Sequence, residues 1–63
     1  MSNYKKAKNS LKNTSEMAKS QFPKDKPMIR QIINDSVYFL GGDYKLNTYQ
    51  KSLLSDYACK LHP

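Results

Sequence analysis

Apolar positions in this chain concentrate in one stretch, Asp25–Leu40 (DKPMIRQIINDSVYFL), which Gly41 and Gly42 follow. At about 100° of rotation per residue, Ile29, Ile33, Val37 and Leu40 fall on one stripe with Ser36 at its edge. Met28, Ile32 and Phe39 lie to one side of that stripe, and Arg30, Gln31, Asn34, Asp35 and Tyr38 take the opposite face. The spacing predicts a helix over residues 25–40 whose apolar arc spans roughly half its circumference, wider than the ~100° stripe of an ordinary surface helix. Asp25 is placed to cap it, Pro27 falls in its first turn, and Gly41 is the expected left-handed residue that ends it.

A second periodic segment follows. On a helix over 48–61, Leu53, Leu54, Tyr57, Ala58 and Leu61 share a face, while Lys51, Ser52, Ser55, Asp56 and Cys59 lie away from it. Asn47 or Thr48 is the expected cap, with Gln50 or Lys51 at the third helical position. The two helices make an antiparallel hairpin joined by about six residues, an ordinary connection length. Strand formers at 37–40 and 44–49 around Gly-Gly offer a β-hairpin instead. That alternative abandons the 29/33/37/40 stripe, and a lone hairpin is marginal in water.

Upstream, Asn13-Thr14-Ser15-Glu16 has the form of a capping box opening a short helix over 14–21, which Pro23 ends. Met17 and Phe22 are then expected to cover the flank that Met28, Ile32 and Phe39 leave open. In residues 1–13 (MSNYKKAKNSLKN), Tyr4, Ala7 and Leu11 fall at helical spacing, and Ala18 and Phe22 continue the series. The intervening Asn and Ser side chains compete for backbone hydrogen bonds, however. The expectation is a small all-α domain over 14–63 preceded by a basic flexible tail, 1–13, that turns helical on a partner.

Composition narrows the class. Sixty-three residues make one small domain, and 38% hydrophobic content without Trp gives a lean core. A core of that size calls for a further partner, so self-association as a homodimer or a dedicated partner is expected. The single Cys59 excludes an intramolecular disulfide and fits a reducing compartment. No apolar run exceeds Val37–Leu40, so no membrane span is expected and the cytoplasm is the expected location.

Candidate chemistry is sparse. Asp56, Cys59 and His62 recur at intervals of three and share one side of the last helix. Side chains on successive turns project side by side, whereas a nucleophile and its base must converge in a pocket. Cys59 and His62 supply two metal ligands where structural zinc requires four. Gly41-Gly42-Asp43 lacks the spaced glycines and Lys-Ser/Thr of a phosphate loop. The sequence therefore points away from an enzyme, a metal site or a cofactor, and toward binding.

The charge layout says what kind. Residues 1–30 carry eight basic groups (Lys5, Lys6, Lys8, Lys12, Lys19, Lys24, Lys26 and Arg30) against Glu16 and Asp25, which accounts for the whole net charge of +6. Such asymmetry points to a polyanionic partner, nucleic acid or an acidic protein surface. Lysines grip phosphate without reading sequence, so sequence-tolerant DNA or RNA binding is the first expectation. The hairpin at 25–61 differs from a helix-turn-helix in its longer loop, and its last helix carries only Lys51 and Lys60 against Asp56, so base reading by that helix is not expected. The second expectation is a protein-interaction module, an adaptor or inhibitor, using the apolar face of helix 25–40 with Tyr38, Tyr44 and Tyr49.

Overall fold

The computed structural model describes residues 2–62. Three helices run in order: α1 (Asn3–Gln21), α2 (Lys26–Asp43) and α3 (Thr48–Leu61). They pack pairwise into a body of 34 × 17 × 17 Å. The turns at 22–25 and 44–47 are short, so α1 and α3 both run antiparallel to α2. No strand occurs among the described residues, and 37–49 is helix end, turn and helix start rather than a β-hairpin.

The hairpin of α2 and α3 forms as the apolar spacing predicts. Ile29, Ile33, Leu54 and Ala58 are buried, and Val37, Leu40, Tyr57 and Leu61 pack against them. Asp25 caps α2 through Oδ1, which accepts from Met28 N–H at 3.1 Å. Asn47 caps α3 in a full capping box: its Oδ1 accepts from Gln50 N–H, and its own N–H donates to Gln50 Oε1.

The N-terminal region departs from the sequence expectation. There is no flexible tail over residues 3–13 and no cap at Asn13, because α1 is continuous from Asn3, with the Ser2 hydroxyl accepting from Lys5 N–H. Tertiary packing overrides the weak propensity of the Asn and Ser residues. Ala7, Leu11, Ser15 and Ala18 are buried on one stripe, Tyr4 packs beside them, and Leu11 is fully enclosed. Burying a side chain such as Leu11 contributes about 1.5–3 kcal/mol, enough to offset several poor helix formers.

α2 also continues through both glycines, and neither has positive φ. The left-handed residue is Lys45, at φ 53°. Lys45 N–H bonds Gly42 O and Leu46 N–H bonds Gly41 O, the two bonds of a Schellman motif. Leu46 is buried against the core, and the helix therefore ends four residues later than a Gly41 stop would place it. Gly41 instead allows close approach: a Cβ there would lie 3.3 Å from the Lys51 side chain.

Met17 and Phe22 do not close the flank of α2. Met17, Phe22, Met28 and Phe39 all stay exposed, and only Ile32 is partly buried against the core. The third helix that completes the core is the whole of α1, which buries Ala7 and Leu11 as well as Ser15 and Ala18, not the segment 14–21 alone.

Candidate functional site

The folding of α1 decides where the basic groups lie. With the buried stripe facing inward, Lys5, Lys8, Lys12 and Lys19 fall within about 60° of arc on one flank, and Lys5 to Lys19 covers about 21 Å of helix axis. That flank faces α3, because Lys8 Nζ stands 4.8 Å from the centroid of the Tyr57 ring. The opposite flank of α1 faces α2, where Ser10 Oγ and Tyr44 Oη share a hydrogen bond. Lys5, Lys12 and Lys19 are exposed and Lys8 is half-buried under its contact with Tyr57.

The remaining basic residues are not part of this row. Lys6 is exposed on the far side of α1. Lys24 lies in the turn between α1 and α2, and Lys26 and Arg30 line an open depression of about 430 Å³ on α2 with Pro27, Gln31, Asn34 and Asp35. The structure thus brings together four of the eight candidate residues and sets four apart. In the sequence Glu16 falls between Lys12 and Lys19, and Asp25 between Lys24 and Lys26.

Electrostatics inside α1 sharpen the picture. Its first turn contains no acidic residue and holds Lys5 and Lys6, although the positive end of a helix disfavours cations by about 0.3–1 kcal/mol each. Two ammonium groups are therefore concentrated at the positive end of α1.

The tyrosines scatter. Tyr38 is 82% exposed on the outward side of α2, and Tyr49 is 71% exposed in the first turn of α3. Tyr44 is half-buried against the core with its hydroxyl bonded to Ser10, and so differs from the freely exposed Tyr38 and Tyr49. The apolar stripe of α2 is likewise taken up by the core. What remains outward on α2 is Tyr38 with Phe39, their rings edge-to-face at 5.8 Å, together with Met28. Phe39 belongs to the apolar arc of α2 and stays exposed because Met17 and Phe22 do not cover it. A second open depression of about 480 Å³ borders Tyr38 and is lined also by Asn34, Val37, Gly41, Gly42 and Lys51.

Asp56, Cys59 and His62 do not converge. Cys59 is exposed, and His62 Nε2 shares a 3.1 Å hydrogen bond with Asn34 Oδ1 on α2. No group of three or more His, Cys, Asp or Glu side chains suited to a metal ion occurs among the described residues. No helix among them is long and apolar enough to cross a membrane.

No protein-family model, curated protein or solved structure matches the chain.

Proposed function

We propose that this protein is a non-enzymatic nucleic-acid-binding protein of the cytoplasm that grips phosphates, largely without regard to sequence, through the lysine flank of α1. The observation that carries the reading is the alignment of Lys5, Lys8, Lys12 and Lys19 on one side of a single rigid helix. A row of cations about 21 Å long matches a linear polyanion better than a compact acidic patch. Lys5 and Lys6 at the positive helix end add to the same field, a placement that costs helix stability and favours anion binding. Lys24, Lys26 and Arg30 serve as an outlying contact at the other end rather than as the base of an arm.

A second reading rests on a different observation. Tyr38 and Phe39 are adjacent, exposed and on the outward side of α2, away from the lysine flank. Exposed aromatic pairs of this kind anchor protein interfaces, and here the partner would be a second copy of the chain or another protein. The two readings separate in one experiment. Lys5, Lys8, Lys12 and Lys19 are changed to Gln in one variant, and Tyr38 and Phe39 to Ser in another. Oligonucleotide binding and sedimentation are measured for both. The nucleic-acid reading expects the first variant alone to lose oligonucleotide binding; retention of full binding by that variant would overturn it.

A further inference from the structure

The outer ridge of α1, opposite its buried stripe, carries Lys5, Lys6, Asn9, Lys12, Asn13 and Glu16, all of them exposed. Asn9 and Asn13 are four residues apart, so their amides stand one turn above the other on the same line, about 6 Å apart along the axis. Lys5 and Lys12 flank that line on the α3 side, and Lys6 flanks it on the other. Asparagine is one of the poorer helix formers, and at an exposed position no packing offsets its cost. Both carboxamides stand exposed on the ridge between three lysines.

We propose that this ridge enters the major groove of duplex DNA, where Asn9 and Asn13 read base edges with a preference for adenine while the lysines hold phosphates on both sides. The proposal rests on the nucleic-acid reading above and adds a base preference to its charge-dominated binding. The carboxamide is the match for adenine: Oδ1 accepts from the N6 amino group and Nδ2 donates to N7. A groove about 12 Å wide admits one α-helix, and α1 presents a free ridge because both its neighbours pack behind it. Glu16 bounds the base-reading part of the ridge, since its carboxylate is repelled by phosphate, while Lys19 stays on the phosphate-holding flank. From residue 5 to residue 13 the axis advances about 12 Å, which spans three to four base pairs at about 3.4 Å each. Duplex RNA, with its deep and narrow major groove, does not admit the helix.

The test is a titration of the intact protein with four short duplexes. These are alternating A·T DNA, alternating G·C DNA, the A·T duplex with 7-deazaadenine in place of adenine, and duplex RNA. The 7-deaza base removes the N7 acceptor without changing pairing. Expected are about tenfold tighter binding to A·T than to G·C DNA, loss of that advantage on 7-deaza substitution, and weaker binding to RNA. The double variant Asn9→Ala, Asn13→Ala is expected to lose the discrimination while keeping the salt dependence of the unmodified protein. Alanine raises helix propensity, so the variant keeps its fold, which circular dichroism verifies. Equal affinity for A·T and G·C DNA, or an A·T preference that survives the 7-deaza base or the double variant, overturns this proposal and leaves phosphate binding standing. Failure to bind any duplex removes both.

Discussion

Ser10 Oγ and Tyr44 Oη lie 3.2 Å apart, joining the middle of α1 to the residue that caps α2. The same Tyr44 accepts a 3.0 Å hydrogen bond at its carbonyl from Asn3 Nδ2. One residue thus pins the first half of α1, which sequence propensity alone leaves loose. Tyr44→Phe is expected to cost about 1 kcal/mol, the usual net value of a single hydrogen bond. Amide exchange in residues 5–11 should accelerate with it. Unchanged exchange there would show that the helix is held by its apolar stripe alone.

The core makes the largest demand on stability. Leu11, Ile33 and Leu54 are fully buried, one from each helix. Replacing any of them by Ala is expected to cost about 2–5 kcal/mol, which approaches the total stability of so small a domain. Exposed Cys59 tolerates Ser. Thermal melts of the four variants check this; a silent Leu11→Ala would remove α1 from the core.

Much of this was legible in the sequence. The 29/33/37/40 stripe, the Asp25 cap and the Asn47–Gln50 box define α2 and α3 from residue spacing. The missed half of α1 was also written there, as Tyr4, Ala7, Leu11 and Ala18. Its continuity was hidden by the intervening Asn and Ser residues, whose side chains compete for backbone hydrogen bonds, and by the capping-box pattern of Asn13–Glu16, which reads as a fresh helix start. Seen as one helix, residues 3–21 place the lysines in a row; as a tail they have no geometry at all. The end of α2 was hidden differently. Local preference assigns the left-handed position to Gly41, whereas packing of Leu46 places it at Lys45.

Ser15 is the one buried side chain whose polar atom has no partner among the described residues. An unpaired buried hydroxyl costs about 1–3 kcal/mol. Ser15→Ala removes that cost, raises helix propensity and leaves almost no cavity, so a gain of about 1 kcal/mol is expected. A loss of stability on chemical denaturation would mean that the hydroxyl is satisfied in solution.

The glycines and the left-handed position are mismatched, which makes a paired test available. A Cβ at Gly42 would meet nothing within 4 Å, so Gly42→Ala should stabilise α2 by about 0.5–1 kcal/mol. Lys45→Gly should add a comparable amount by relieving the positive φ. Gly41→Ala gains less, because the Lys51 side chain must shift to admit the methyl group. Urea midpoints for the three variants rank these effects.

Whether the lysine flank of α1 holds phosphates is decided by the salt dependence of binding. Each phosphate neutralised on duplex DNA contributes about −0.9 to the slope of log K against log salt, and about −0.7 on single strands. With Lys5, Lys8, Lys12 and Lys19 engaged, and Lys6 in part, the expected slope on duplex DNA is about −3 to −5, with micromolar or weaker affinity at physiological salt. Changing those four lysines to Gln, with the helix content unchanged, should bring the slope to about −1 or shallower. A slope that keeps its full value in that variant, or no binding by the unmodified protein even at low salt, contradicts the account.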